Sequence, residues 1–251
     1  MKIEKLIIGL IVIFMSEIAT AGQIRIAVAS NFYRPMQEIA RQFELESPHT
    51  VLISSGSSGK LYAQIVHGAP FHIYFSADKE KPRALVDNSL ADDGSRFTYA
   101  IGRLVLWSPM QGRDVESVLR NAAYEKLALA NPRLAPYGQA AVDVLLSLDE
   151  DGGTDQSRWI IGESIAQTWQ FVNTGNTDLG FVALSQLRSS DMQAGSYWIV
   201  PRHMYTPIQQ DAVVLTGHEQ PNVVQAFLGF LKGEKGQSII HDYGYDTEHV
   251  Y

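Results

Sequence analysis

Short β-like and helix-like segments alternate along this chain, and the alternation restricts the fold more than any other feature. Ile24–Val28 is apolar and β-like, Ser30-Asn31 interrupts it, and an apolar stripe at helical spacing runs from Met36 to Phe43. Strand–turn–helix units repeat at similar spacing further on. Such units predict an α/β fold whose sheets are mainly parallel and are flanked by helices.

The later units suggest two lobes rather than one. Tyr99–Trp107 is a long β-like run with Gly102 inside it, and a second series of units follows. Because no flexible linker or repeat separates the two series, we expect two lobes joined by short strand-like crossings. Further strands are predicted at Thr50–Ile53, Ile73–Phe75, Leu127–Ala130, Trp159–Ile161, Leu179–Ala183, Tyr197–Val200 and Ala212–Leu215. Further helices are predicted along Leu61–Val66, after Ser76–Asp78, along Gly138–Leu148 and Ile165–Val172, and from Pro221 onward.

The first residues have the pattern of a signal peptide. Lys2 and Lys5 precede the apolar run Leu6–Met15, and Ala19-Thr20-Ala21 fits a small-x-small cleavage site. A transmembrane helix needs roughly 20 apolar residues, about twice the length of this run. We therefore expect residues 1–21 to be removed near Ala21 and the mature protein to reach a bacterial periplasm.

Charge and cysteine content exclude several classes of function. The chain has 20 basic and 27 acidic residues, a net charge of −7 and no cysteine. An acidic chain without a long basic run is not expected to bind nucleic acid. The absence of cysteine excludes disulfides, thiol catalysis, iron–sulfur clusters and a lipid anchor on an N-terminal cysteine. A ligand must therefore be held by oxygen and nitrogen groups.

Three predicted strand-to-helix turns carry small or hydroxyl side chains. They are Ser30-Asn31, Ser54–Gly59 and Pro136–Gly138. A helix N-terminus has up to four unpaired N–H groups and about half a positive charge, which suits an anion. In open α/β sheets, ligands lie beyond the carboxyl ends of the strands, where these turns are expected. A single such turn is usually only a helix cap, so the prediction depends on the three together.

Enzymatic interpretations find less support. Gly56–Gly59 has neither the spacing of a phosphate-binding P-loop nor that of a hydrolase nucleophile elbow. The seven histidines form no metal-binding pattern. A serine hydrolase would require a histidine and an acid beside Ser30 or Ser58, and a ligand-free adhesion module is a further alternative.

The ordered set of motifs resembles the periplasmic molybdate-binding proteins, the substrate-binding components of molybdate ABC transporters. The resemblance runs from about Ile24 to Tyr245. It rests on Ala29–Phe32, Ser54–Gly59, Leu61–Ile65, Gly68–Pro70, Phe75–Asp78, Asn131-Pro132, Ala135–Gly138, Asp178–Val182, Phe230–Gly233 and Tyr243–Tyr245.

This resemblance implies a two-lobed periplasmic-binding-protein fold of type II with one oxyanion in the cleft between the lobes. Lobe 1 would comprise residues 22–102 plus 208–251, and lobe 2 residues 103–207. The implied oxyanion contacts are Ser30, Asn31, Ser58, Tyr137 and the backbone N–H of Ile165. Ser57 is an alternative to Ser58. Many members have a ligand-contacting tyrosine where this chain has Ala183, and Tyr137 would supply the missing phenol from another turn.

The resemblance also implies a receptor rather than an enzyme, with no cofactor and no direct metal ligands. Its ligand would be molybdate or tungstate, and its partner a membrane ABC permease. None of the five implied contacts is acidic or basic, which suits a fully deprotonated dianion better than partly protonated phosphate. Sulfate or another tetrahedral oxyanion is the alternative ligand, and the protein is expected to be a monomer.

Overall fold

The computed structural model describes residues 21–148, 155–189, 195–217 and 219–247. The predicted signal peptide lies, apart from Ala21, outside these residues, so it stays a prediction. The strands are β1 (Gln23–Ala29), β2 (Thr50–Gly56), β3 (Ile73–Phe75), β4 (Phe97–Gly102), β5 (Leu104–Ser108), β6 (Leu127–Ala130), β7 (Trp159–Gly162), β8 (Leu179–Ala183), β9 (Ser196–Ile199) and β10 (Ile208–Val214). The α-helices are α1 (Tyr33–Glu46), α2 (Ser58–Val66), α3 (Glu80–Asp87), α4 (Val115–Arg120), α5 (Pro136–Leu148), α6 (Ile165–Asn173), α7 (Leu184–Ser189), α8 (Pro221–Lys232) and α9 (Glu234–Asp242).

The strands form two five-stranded sheets, which confirms the two-lobed α/β fold. The first sheet has the order β2-β1-β3-β10-β4 and the second the order β7-β6-β8-β5-β9. The chain therefore passes from the first sheet to the second between β4 and β5, around Arg103, and returns between β9 and β10. The long β-like run around Gly102 is thus two strands that belong to different sheets.

Both sheets are mixed, whereas the sequence analysis expected mainly parallel ones. In each sheet two strand pairings are parallel and two are antiparallel. The reason lies in the crossings, because β10 and β5 enter their sheets from the cleft. The parallel strands end at the cleft, so a strand that starts there must run in the opposite direction. β4 and β9 run back toward the cleft, which they must reach in order to cross.

Each lobe buries apolar side chains between its sheet and its helices. In the first lobe Ile26 and Phe75 of the sheet pack in one cluster with Phe43 of α1 and Phe227 of α8. The second lobe is built in the same way around β5, β6, β8 and α5. Val66 is an exception, because it was expected on a buried stripe but is 45% exposed at the end of α2. Among the described residues, no helix has the length and apolar character needed to cross a membrane.

Several element boundaries differ from the prediction. The helices α4, α7 and α9 were not predicted, because α4 and α7 have only six residues each and α9 has apolar side chains only at Ile239 and Ile240. Helix α3 begins at Glu80 rather than directly after the expected cap, but Asp78 still accepts a hydrogen bond from the Lys81 N–H at 3.0 Å. Helix α5 begins at Pro136, so Tyr137 lies in its first turn instead of in the preceding turn.

Two helical glycines provide a test of this packing. A Cβ at Gly138 in α5 would lie 2.2 Å from the carbonyl oxygen of Ala130, whereas a Cβ at Gly229 in α8 would meet nothing within 4 Å. We expect Gly138→Ala to lower the free energy of unfolding by about 2 kcal/mol or more, because α5 must move off β6. Gly229→Ala should raise it by up to about 1 kcal/mol through helix propensity. Urea unfolding of both variants checks this, and equal effects would contradict it.

Candidate anion-binding site

The turns that follow the parallel strands meet around one small cavity between the two sheets. Its volume is about 10 Å³. It is lined by Ala29, Ser30, Asn31, Ser57, Ser58, Ala77, Ala135, Pro136, Tyr137 and Ile165. The structure thus brings together all five residues that the sequence analysis selected, together with the alternative Ser57. Whether they contact a ligand stays a prediction.

The described lining includes hydroxyl and amide groups but carries no formal charge at neutral pH. None of the ten described residues that form it is acidic, basic or a histidine. Pockets for drug-sized organic ligands occupy roughly 300–1,000 Å³, so this cavity suits a much smaller solute. Among the described residues, no group of three or more histidine, aspartate or glutamate side chains is placed to hold a metal ion. The cavity therefore suits a small ion held by hydrogen bonds.

Helix N-termini supply backbone donors to this cavity. Ser58 is the first residue of α2, Tyr137 the second of α5 and Ile165 the first of α6. N–H groups at these positions have no partner within their own helix, and the helix dipole gives this end a partial positive charge. At α6 the Ser164 hydroxyl caps the Gln167 N–H at 3.3 Å, one turn further along. The electrostatic field in the cavity should therefore favour an anion.

The two serines at the start of α2 have different surroundings. The Ser58 hydroxyl oxygen accepts a hydrogen bond from the Ala77 N–H at 3.0 Å, so its own proton can point toward a ligand. The Ser57 hydroxyl is buried and has no partner among the described residues. Ser57 occupies the N-cap position but makes no side-chain capping bond. A buried hydroxyl without a partner is costly. Ser57 is therefore as good a candidate contact as Ser58.

The Tyr137 phenol is placed to donate. Burial raises its pKa well above the ordinary value, and neighbouring phenols, Tyr245 foremost, raise that pKa further, so the group stays protonated. The Gln210 side-chain amide donates to the phenol oxygen over 3.5 Å. Gly102 leaves room for the phenol, because a Cβ at that position would lie 2.2 Å from the Tyr137 hydroxyl oxygen.

Asn31 has a side chain that is already engaged. Its amide nitrogen donates to the Gln210 side-chain oxygen at 2.7 Å and to the Tyr245 hydroxyl at 3.0 Å. The group that Asn31 can offer to a ligand is therefore its backbone N–H. The sequence analysis missed Gln210 and treated the Tyr243–Tyr245 pattern only as part of a family motif. No local sequence signal marks either residue, because both reach the site from distant parts of the chain.

The lobes contact each other around the cavity. The Gly59 N–H donates to the Leu134 carbonyl at 2.9 Å, from α2 of the first lobe to the turn before α5 of the second. Lys60 and Glu163 form an ion pair between the turns that carry Ser58 and Ile165. These contacts close the cleft over the cavity.

Ala183 is fully buried in the core of the second lobe and does not line the cavity. Its N–H donates to the Gln186 side chain at 2.9 Å. Within the described residues, the phenol that does line the cavity is that of Tyr137.

Comparisons with known proteins agree with this architecture. Residues 24–246 match the family described as bacterial extracellular solute-binding protein. The molybdate-binding protein ModA of Azotobacter vinelandii is 44% identical over 250 residues, which is 98% of this chain and 99% of that protein. The ModA protein of Rhodobacter capsulatus is 42% identical over 231 residues, 92% of this chain and 90% of that protein.

A solved structure gives the same result. The periplasmic molybdate-binding protein of Azotobacter vinelandii superposes with a TM-score of 0.83 at 41% identity. The match covers 89% of this chain and 99% of that chain.

Because Tyr245 beside the cavity is buried, we expect the protein to lose folding stability at alkaline pH. Burial raises its pKa from 10.0 to about 12, so the unfolded chain ionises this phenol first. Its stabilising contribution is present below about pH 10 and is lost as the pH rises toward about 12. When the pH is raised from about 9 to about 11, the free energy of unfolding of Tyr245→Phe should fall by roughly 1 kcal/mol less than that of the wild type. Urea unfolding at both pH values measures this difference, and parallel losses would contradict it.

Proposed function

Because the chain belongs to the bacterial extracellular solute-binding proteins, and among them to the molybdate-binding proteins, we propose that it is a receptor that captures molybdate for an ABC transporter. The observation that carries this proposal is the small cavity between the two lobes, whose described lining provides neutral hydrogen-bond donors. It acts in the periplasm, after export directed by residues 1–21, and its partner is the membrane permease of that transporter.

The chemistry of molybdate fits a lining of this kind. At neutral pH it is a fully deprotonated dianion, so its four oxygens only accept hydrogen bonds. Phosphate is partly protonated and would be stabilised by a carboxylate acceptor, which the described lining lacks. Tungstate presents the same acceptors at nearly the same size, so we expect it to bind as well.

The number of donors is sufficient for tight binding. The hydroxyls of Ser30, Ser57, Ser58 and Tyr137 and the backbone N–H groups of Asn31 and Ile165 provide six candidate bonds. Hydrogen bonds to a charged group contribute roughly 1.5–3 kcal/mol each, which gives about 10 kcal/mol or more in total. After the costs of association and closure, roughly micromolar affinity or better is expected.

Lobe closure provides a signal that a permease can read. We assign the moving units to residues 22–102 plus 208–251 and to residues 103–207. The chain passes from one sheet to the other at these boundaries. Both units contribute to the lining, so the ligand favours the closed arrangement. The proposal includes a receptor that works as a monomer and without a cofactor.

Catalysis is not part of this proposal. A serine hydrolase needs a histidine general base beside its nucleophile. The described residues around Ser30 and Ser58 in the cavity include no histidine and no carboxylate.

Calorimetric titration with four anions tests the proposal. The purified mature protein should bind molybdate and tungstate with roughly micromolar dissociation constants or lower, and phosphate at least about a hundredfold more weakly. Tight sulfate binding without a molybdate signal would overturn the choice of ligand. No thermal shift with any anion would favour an adhesion module, and turnover of a chromogenic ester would favour a hydrolase.

Single hydroxyl deletions test the contacts at the start of α2. Ser57→Ala and Ser58→Ala should each weaken molybdate binding by more than about 1 kcal/mol, because each removes a buried donor. Ser58→Ala should also destabilise the ligand-free protein, since it leaves the Ala77 N–H without its acceptor. Ser57→Ala should not, because that hydroxyl has no partner to lose.

The exposed Ser54, near the end of the preceding strand β2, is a matched control, and Ser54→Ala should change neither quantity. Calorimetry and urea unfolding give the two readouts. Unchanged affinity in Ser57→Ala or in Ser58→Ala would remove that serine from the contacts.

A further inference from the structure

The Tyr245 hydroxyl lies at the centre of a buried hydrogen-bonded group behind the cavity. Tyr245 is 3% exposed. Its hydroxyl oxygen is 2.8 Å from the Asn31 carbonyl, 3.0 Å from the Asn31 amide nitrogen and 2.9 Å from the Ser185 hydroxyl. The Tyr137 phenol is its neighbour, since each of the two phenols perturbs the pKa of the other. One phenol thus contacts two of the residues that line the cavity.

Ser185 brings the second lobe into this group. It lies in α7, is 2% exposed, and its hydroxyl donates to the Asn31 carbonyl at 2.8 Å. Asn31 and Tyr245 belong to the first lobe, so the three residues form a bonded ring across the cleft. Because Ser185 belongs to the second lobe, separation of the lobes would break its bonds to Asn31 and Tyr245.

The backbone around Tyr245 is held in place, so its hydroxyl has little freedom to follow a moving lobe. Asp246 exchanges two backbone hydrogen bonds with Ile101, of 2.7 and 3.1 Å. The Asp246 carboxylate also pairs with Arg202 and lies 3.7 Å from Arg103, beside the two crossings between the lobes. The Tyr245 ring packs edge-on against Phe32, with ring centroids 5.1 Å apart.

We propose that Tyr245 is a positioning residue of the anion site: its hydroxyl orients Asn31 and Tyr137 toward the ligand and joins Ser185 only in the closed protein. The proposal rests on the function proposed above. A bond that forms only on closure stabilises the closed state alone. Its loss should therefore speed the opening that releases the ligand and leave the capture of the ligand by the open protein unchanged.

The test is a double-mutant cycle read out in the kinetics of molybdate release. Tyr245→Phe keeps the ring and removes the hydroxyl, and Ser185→Ala removes the partner across the cleft. Association and dissociation rates are measured by stopped-flow tryptophan fluorescence for the wild type, both single variants and the double variant. Tyr243→Phe is the matched control, because that half-buried phenol makes no hydrogen bond to the cavity-lining residues that the structure describes.

We expect each single variant to release molybdate roughly three- to tenfold faster, with association rates within about twofold of the wild type. The double variant should be less than about twofold faster than the faster single variant, because the two hydroxyls bond to each other and to the same Asn31 carbonyl and so do not act independently. Tyr243→Phe should match the wild type.

Three outcomes would overturn the proposal. They are unchanged dissociation in Tyr245→Phe, multiplicative effects in the double variant, and a loss of unfolding stability of the ligand-free protein as the sole change. Wild-type protein that binds no molybdate would instead overturn the proposed function on which this role rests. Wild-type binding together with an unaffected Tyr245→Phe would overturn the role of Tyr245 alone.

Discussion

The proposed anion site depends on one electrostatic requirement, which is to create positive potential in a cavity whose described lining has no cationic side chain. The chain carries a net charge of −7, and the ten described lining residues include no lysine or arginine. The remaining sources are the N–H groups and dipoles of helix N-termini, which act only over about one turn. Several such termini must therefore point at the same small volume. The proposed ligand would be held by the backbone as much as by side chains.

The sheet topology meets this requirement. Parallel strands end at one edge of a sheet, so the helices that follow β1, β2, β6 and β7 all begin at the cleft. The antiparallel strands β10 and β5 begin at the same cleft, because the chain enters each lobe there. The crossings consequently lie beside the cavity, and Gly102 at the end of β4 is close enough to constrain the Tyr137 phenol. The fold thus places the candidate anion site next to the crossings between the lobes.

Local patterns in the sequence predicted what local chemistry determines. Strands such as Ile73–Phe75 and Leu179–Ala183 were predicted with the bounds that the structure has, because buried β-branched and aromatic runs are distinctive. The turns around Ser30, Ser58 and Tyr137 were predicted from the small and hydroxyl residues that stand between a strand and a helix. Strand direction was not predictable, since it depends on where the chain crosses between lobes. The roles of Gln210 and Tyr245 were hidden as well, because their partners lie 179 and 214 residues away.

A neutral, divided site also explains how such a receptor can release a tightly held dianion. In the proposed complex the first lobe contributes Ser30, Asn31 and the serines of α2, and the second contributes Tyr137 and Ile165. Opening the lobes removes the second group, at roughly 1.5–3 kcal/mol for each bond. Loss of two bonds weakens binding by about 3–6 kcal/mol, a factor of at least roughly a hundred. A cationic side chain would keep its long-range attraction after opening, whereas short-range dipoles lose theirs within a few ångströms. Release therefore needs only lobe movement and no change in protonation or charge.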